Sequence, residues 1–235
     1  MKWRASVGRV SRLFILASAT LAALLIGPAS ASAGTLDQQQ TDALGFALGV
    51  DKTQSVAQTF TPNLTGGIDQ VDLHLGKISF PSAPLTVEIR DVSAGLPGNA
   101  VLASSSVAVS DVPPDIAAAF TPVNFAAPAA VSAGTQYAIV AYSSTPSGSN
   151  YVWRDSGTIN PYAGGVGVFA VSSPPSTAWN SLPQDLAFKT YVTPPAPPSD
   201  NNGQGNPTVK KRKCKKAKRH HSAAVATKGC KKKRK

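Results

Sequence analysis

The stretch LTVEIRD, residues 85–91, alternates leucine, valine and isoleucine with polar side chains. Because successive side chains of a β-strand point to opposite faces, the pattern predicts one buried face and one solvated face, with Glu88 and Arg90 on the solvated one. Residues 71–75 show the same alternation. Two half-buried strands need a second sheet to cover their apolar faces, so the sequence predicts two stacked sheets.

Seven further runs of strand character follow the same pattern, and Pro or Gly marks nearly every junction between them. No window of a dozen residues has helical periodicity, and residues 115–120, with three consecutive alanines, are the one place where a helical turn competes. Many short strands at this spacing predict an all-β fold, a two-sheet antiparallel β-sandwich or jelly roll. The predicted strands are residues 56–60, 68–75, 85–92, 101–109, 120–125, 137–142, 151–154, 166–171 and 186–192.

The first 33 residues have the composition of a secretory signal peptide. A basic segment with no acid precedes an apolar run at residues 13–26, and Ala-Ser-Ala at 31–33 fits a cleavage site. The apolar run is shorter than the roughly 20 residues that a spanning helix needs, so cleavage is favoured over a membrane anchor. We therefore expect a secreted protein, in the extracellular space or the cell envelope, that meets the membrane only through its signal peptide.

Composition divides the rest of the chain into four segments. Residues 34–55 are predicted to be a polar leader, 56–192 the sandwich domain, 193–209 a proline-rich and then polar linker, and 210–235 a disordered polybasic C-terminal tail. Between residues 34 and 192, five basic and eleven acidic residues leave a net charge of −6, whereas the tail carries 14 Lys or Arg and no acid. The formal charge of +11 therefore belongs to the tail, not to the body.

A tail with this charge is expected to bind polyanions. Export favours cell-wall or other extracellular polymers over nucleic acid as partners, and the alternative is that the tail folds back on the acidic body. The tail residues assigned to polyanion binding are Lys210, Lys211, Arg212, Lys213, Lys215, Lys216, Lys231, Lys232, Lys233, Arg234 and Lys235.

The two cysteines, Cys214 and Cys230, also lie in the tail, with 15 residues between them. In an oxidising compartment a disulfide across that loop would stabilise by about 3 kcal/mol, and this is the favoured interpretation. Zinc binding by these cysteines with His220 and His221 is the alternative, although the spacing is not that of a standard finger.

Four aromatic residues in the C-terminal half, near predicted loops, are candidates for glycan contact. Tyr151, Trp153, Tyr162 and Trp179 have rings on which the C–H face of a sugar stacks, with polar tips that hydrogen-bond. The alternative is that they fill the core, which is favoured for Trp153 and left open for Tyr162 and Trp179.

The sequence contains no catalytic constellation and implies no cofactor. The one histidine of the body, His74, is flanked by leucines on a strand and is interpreted as solvent-facing. Asp72 and Glu88 would form a carboxylate pair only if their strands are neighbours. Two acidic pairs, Asp69 with Asp72 and Asp111 with Asp115, offer oxygen ligands for calcium, although solvated loop acids are the favoured explanation.

Several short elements together carry a family resemblance. The elements are Gln58-Thr-Phe60, residues 71–75 and 85–91, Gly95-Leu-Pro-Gly98, Gly134-Thr-Gln-Tyr137, Tyr151-Val-Trp153, Tyr162-Ala-Gly164-Gly165, Trp179 and Asp185-Leu-Ala-Phe188. They resemble those of the secreted bacterial β-sandwich modules called choice-of-anchor domains, whose jelly-roll shape is similar to that of carbohydrate-binding modules. The resemblance covers residues 56–192 and implies the fold and a cell-surface location, with no ligand site; the basic tail is similar to the ends of secreted actinobacterial proteins.

We therefore expect a non-catalytic binding or cell-surface module. Glycans and anionic envelope polymers are its expected partners. A purely structural envelope protein is the alternative, and a carbohydrate-active enzyme ranks third.

Overall fold

The computed structural model describes residues 34–171 and 178–196 of the chain. Within them the backbone forms thirteen β-strands and two short 3₁₀ helices, and no α-helix. The strands are β1 (Thr35–Gln40), β2 (Ala47–Val50), β3 (Ser55–Phe60), β4 (Gly66–Lys77), β5 (Leu85–Ser93), β6 (Leu96–Val107), β7 (Ala119–Val131), β8 (Tyr137–Tyr142), β9 (Tyr151–Ile159), β10 (Gly167–Ala170), β11 (Asn180–Ser181), β12 (Gln184–Leu186) and β13 (Phe188–Thr193). The helices η1 (Val109–Asp111) and η2 (Asp115–Ala117) lie between β6 and β7, and η2 occupies the predicted helical turn.

The strands form two antiparallel sheets. The seven-stranded sheet has the order β1-β13-β4-β9-β12, with β7 paired to the other edge of β4 and β2 paired to β9. The six-stranded sheet has the order β11-β10-β3-β8-β5-β6. The apolar faces of the two sheets enclose one main core, to which β4 contributes Val71 and Leu73 and β5 contributes Val87 and Ile89. The predicted all-β antiparallel sandwich is therefore confirmed.

Strand β5, which contains the LTVEIRD stretch, lies inside the six-stranded sheet between β6 and β8. Its residues Leu85, Val87 and Ile89 are completely buried, as the alternation predicts. At about 25 cal/mol per Å² of apolar surface, each such side chain stabilises the fold by about 1.5–3 kcal/mol.

The prediction that Glu88 and Arg90 face solvent is wrong. Both side chains point away from the main core, but both are buried, because a second apolar cluster covers the outer face of the six-stranded sheet. The side chain of Tyr142 packs there, with Val92 and Leu96 from the β5–β6 hairpin. The buried members of this cluster are Ala57, Ala138, Val140, Val168, Ala170 and Trp179.

The hairpin between β5 and β6 turns one residue earlier than the Gly95-Leu-Pro-Gly98 motif suggests. Ala94 and Gly95 both have positive φ, +53° and +80°, while Leu96 already pairs with Ser93. Two consecutive left-handed residues are typical of the type I′ turn, whose twist matches that of paired strands. Gly95 adopts this conformation without strain, whereas Ala94 carries a Cβ that disfavours it.

The segment interpreted from composition as a polar leader contributes two strands. β1 pairs with β13 at the edge of the seven-stranded sheet, and β2 pairs with β9. The predicted strand at residues 186–192 is interrupted at Ala187, which separates β12 from β13. At that point the chain stops pairing with β9 and begins pairing with β4.

Candidate functional site

The four aromatic residues suggested by the sequence for glycan contact are buried. Tyr151 and Trp153 are completely buried in the main core, and Tyr162 and Trp179 keep 9% of their surface exposed. The Tyr151 hydroxyl donates to the Ala83 carbonyl at 2.7 Å. A stacking platform needs an exposed ring face, so these four rings do not form one in this structure. Tyr151, Trp153 and Tyr162 lie in the main core, whereas Trp179 belongs to the second apolar cluster on the outer face of the six-stranded sheet.

Tyr162 and Trp153 are also held by internal hydrogen bonds. The indole Nε1 of Trp153 donates to the Ala187 carbonyl at 2.9 Å. The Tyr162 hydroxyl donates to Gln38 Oε1 at 2.8 Å, and its ring meets the ring of Phe188 edge-on at 5.1 Å. Burial raises the pKa of Tyr162 to about 12.

Asp185 anchors the backbone beneath the Tyr162 ring. Its Oδ2 accepts from the Tyr162 backbone N–H and its Oδ1 from Gln58 Nε2, both at 2.9 Å. Asp185 is completely buried, and that burial raises the pKa of its carboxyl group. The network explains why Tyr162 points inward: its main chain is tied to a buried carboxylate.

Asp72 and Glu88, the possible carboxylate pair, lie in different sheets. Asp72 is on β4 of the seven-stranded sheet and Glu88 is on β5 of the six-stranded sheet. Glu88 Oε2 accepts from Arg90 Nε at 2.7 Å, and Glu88 Oε1 accepts from the Tyr142 hydroxyl at 2.8 Å. Burial, then the hydrogen bond to Glu88, raises the pKa of Tyr142. Glu88 is therefore part of a closed structural network and does not pair with Asp72.

The acids considered as calcium ligands each have internal partners. Asp69 Oδ2 accepts from the Thr193 hydroxyl, Asp111 accepts from Ser110, and Asp115 pairs with Arg154. Across residues 34–171 and 178–196, no group of three or more His, Cys, Asp or Glu side chains is placed to hold a metal ion. The tail lysines and arginines, Cys214, Cys230 and the signal peptide lie outside the described residues.

The strand register brings a different set of side chains together on the outer face of the seven-stranded sheet. Residues directly opposite each other on paired strands share a face. β13 and β7 flank β4, so Tyr191, Gln70 and Asn124 form one row across the sheet, and Lys189, Asp72 and Pro122 the next. We call this surface the polar face. Its members are Leu36, Gln39, Gln70, Asp72, His74, Phe120, Pro122, Asn124, Lys189 and Tyr191.

One end of the polar face is a hydrogen-bonded cluster around Asp72. The Tyr191 hydroxyl donates to Asp72 Oδ2 at 2.8 Å, and Gln70 Nε2 donates to Asp72 Oδ1 at 2.7 Å. All three side chains are half-buried. Desolvation, reinforced by Asp72, raises the pKa of Tyr191 to about 12, so the phenol remains a donor at every physiological pH. The cluster holds an aromatic ring and a carboxylate in fixed relative positions.

The other end of the polar face is built on Phe120. Its ring meets His74 edge-on at 5.1 Å, and Lys189 Nζ lies 4.4 Å from the ring centroid. Burial, then the nearby Arg154 cation, lowers the pKa of His74, so its imidazole is neutral at neutral pH. The cation–π contact fixes an otherwise flexible lysine over the sheet.

The sequence carries part of the signal for this face. Polar residues alternate with core residues along β4, β7 and β13, and this alternation marks them as outward-facing. The sequence does not reveal that these three strands are neighbours, because β7 and β13 are separated by 56 residues of chain. The sequence pattern therefore pointed to the aromatic residues near predicted loops as ligand contacts and not to Phe120 and Tyr191, which lie on strands.

Comparison with protein-family models gives no match for this chain, and comparison with curated proteins gives none either. Among the described residues, no helix has both the length and the apolar character that crossing a bilayer requires.

Proposed function

We propose that the protein is a secreted, non-catalytic binding module that holds a polysaccharide on its polar face. The observation that carries the proposal is the placement of Tyr191 and Phe120, both partly exposed, on the outer face of the seven-stranded sheet among hydrogen-bonding side chains. A sugar presents C–H groups that stack on aromatic rings and hydroxyl groups that need donors and acceptors on the same surface. Asp72, Gln70 and Lys189 supply those groups between the two rings.

The position of the face also supports this function. It is carried by the paired strands β13, β4 and β7, and strands position side chains more rigidly than loops do. The resemblance to choice-of-anchor and carbohydrate-binding modules, and the signal-like N-terminus, favour the same role at the cell surface. The tail at residues 210–235 would add a second, electrostatic contact with anionic envelope polymers.

Alanine substitution of the two face aromatics tests the glycan contact. Tyr191→Ala and Phe120→Ala are each expected to weaken retention on purified cell walls and on soluble polysaccharides in affinity electrophoresis by about tenfold. Phe80→Ala is the matched control, because Phe80 is an aromatic that is 89% exposed in the loop between β4 and β5. Equal retention of all three variants and the parent would refute the proposal, provided that their urea midpoints agree.

Removal of residues 210–235 tests the electrostatic contact. The truncated protein is expected to lose the part of cell-wall retention that disappears as salt rises, because screening weakens contacts between exposed charges. The part carried by the polar face is expected to remain at high salt. A truncated protein with the same retention as the full chain at low and high salt would eliminate the tail contact and leave the polar face untouched.

A further inference from the structure

Asp72 and Lys189 carry opposite charges on neighbouring strands but do not form an ion pair with each other. They lie directly opposite each other on β4 and β13 and share the polar face. Opposite charges in this position normally attract across the strands. Among the described residues, however, no ion pair joins Asp72 to Lys189, in contrast to Arg90–Glu88 and Arg154–Asp115. Lys189 instead places its ammonium group over the Phe120 ring.

Both members of the pair keep unused hydrogen-bonding capacity. Asp72 accepts one hydrogen bond on each oxygen, from Tyr191 and from Gln70, although a carboxylate has about four lone-pair sites. Lys189 has three N–H donors, and its contact with Phe120 uses its charge rather than those donors. An acceptor and a donor are therefore carried by directly opposite positions of neighbouring strands, on a partly exposed face.

We propose that this open pair binds a vicinal diol of a neutral sugar. One hydroxyl donates to the Asp72 carboxylate, and the adjacent hydroxyl accepts from the Lys189 ammonium group. This deepens the proposed function, on which it rests, by naming the ligand class: neutral polysaccharides that keep adjacent free hydroxyls along the chain. Tyr191 lies one row of the face to one side of the pair and Phe120 one row to the other side.

The charges explain why the ligand should be neutral. A uronate or phosphate would approach Lys189 but be repelled by Asp72, and an amino sugar would meet the reverse problem. A diol contacts both charges and leaves neither one unpaired, and hydrogen bonds to charged groups are the stronger kind. The site is also prepared in advance, since Tyr191 and Gln70 hold the carboxylate and Phe120 holds the ammonium group, which lowers the entropy lost on binding.

Polysaccharide linkage gives the sharpest probe of this inference. Internal residues of a 1,4-linked glucomannan keep a free vicinal diol, whereas those of a 1,3-linked glucan have none. Calorimetric titration of the full chain is expected to show binding of glucomannan and at least about tenfold weaker binding of the 1,3-linked glucan. Periodate oxidation followed by reduction destroys vicinal diols, so glucomannan treated in this way should lose its affinity.

Variants of the pair test the assignment to these residues. Asp72→Asn and Lys189→Met are each expected to weaken glucomannan binding about tenfold. Asp91→Asn, which neutralises an acid on strand β5 of the other sheet, should leave binding unchanged. Circular dichroism and urea midpoints verify that every variant is folded.

The outcomes separate this inference from the proposed function. If neither glucomannan nor any other polysaccharide or cell wall binds, the proposed function and this inference both fail. If glycan binding depends on Tyr191 and Phe120 but is the same for 1,3-linked glucan, for periodate-treated glucomannan or for the Asp72 and Lys189 variants, the diol assignment is overturned and the binding function stands.

Discussion

Replacing Glu88 by glutamine is expected to destabilise the protein by about 3–5 kcal/mol, because it leaves the Arg90 guanidinium charged in a buried site. The side chains of Arg90 and Glu88 are only 5% and 8% exposed. The carboxylate accepts from Arg90 Nε at 2.7 Å and from the Tyr142 hydroxyl at 2.8 Å. A neutral amide keeps the shape of the glutamate but removes the charge that balances the guanidinium.

A double variant separates the charge effect from the packing effect. Glu88→Gln with Arg90→Met removes both charges, so much of the lost stability should return, with a coupling energy of at least about 2 kcal/mol between the two positions. Urea unfolding followed by tryptophan fluorescence measures each free energy of unfolding, and Trp153 is a completely buried reporter.

The exposed ion pair supplies the matched control. Arg154 and Asp115 are joined in the same way but are 25% and 26% exposed. Asp115→Asn is therefore expected to cost less than about 1 kcal/mol, as is usual for solvated pairs. If Glu88→Gln destabilised the protein as little as Asp115→Asn does, the Arg90–Glu88 pair would be solvated. The burial of this pair under the second apolar cluster would then be rejected.

Three further predictions concern the β5–β6 turn, the buried acid Asp155 and the buried aromatic residues Tyr162 and Trp179. Ala94→Gly should stabilise by about 1 kcal/mol, since φ at this position is +53°, while Gly95→Ala should destabilise by a similar amount; a reversed order of urea midpoints contradicts the turn assignment. Burial raises the pKa of Asp155 above its ordinary 3.8. The protonated carboxyl group therefore contributes stability that is fully present below pH 3.8 and is lost as the pH rises through the pKa of the folded state. The free energy of unfolding of Asp155→Asn, measured by urea unfolding at several pH values, should therefore rise relative to that of the parent protein from about pH 4 towards neutrality. A difference between the two free energies that does not change with pH would refute this. Tyr162→Phe and Trp179→Phe should bind polysaccharide as the parent does, because both rings are buried; a tenfold loss in affinity electrophoresis would return the site to these aromatics.

Local alternation predicts much of this fold correctly. Residues 137–142 form β8 with the predicted limits, and β3, β4 and β5 agree to within two residues at each end. Other limits are wrong: β6 begins five residues before its predicted start, β7 ends six residues and β9 five residues after their predicted ends, and β1 and β2 are not predicted as strands. β1 reads TLDQQQ and β2 reads ALGV, and neither has an alternation strong enough to identify without its partner strand.

The candidate site was less accessible to prediction than the fold. Alternation marks Gln70, Asp72 and His74 as one outward-facing row on a single strand. Lys189 and Phe120 complete the candidate site beside that row, and both come from strands distant in sequence. The aromatic residues near loops, which the sequence suggested as ligand contacts, are buried instead, in the main core or, for Trp179, in the second apolar cluster, because large rings bury the most apolar area.

The sequence by itself determines the all-β class and the two apolar faces of the LTVEIRD and β4 strands, since period-two alternation is a local property of the chain. Only the tertiary structure decides the character of the outward faces. Glu88 lies on the non-core side of β5 as its position in the alternation requires, yet it is buried because Tyr142 and the hairpin cover it. Asp72 has the same local pattern on β4 but remains half-exposed. The difference arises from long-range packing, because exposure depends on which strands and side chains become neighbours and not on the alternation itself.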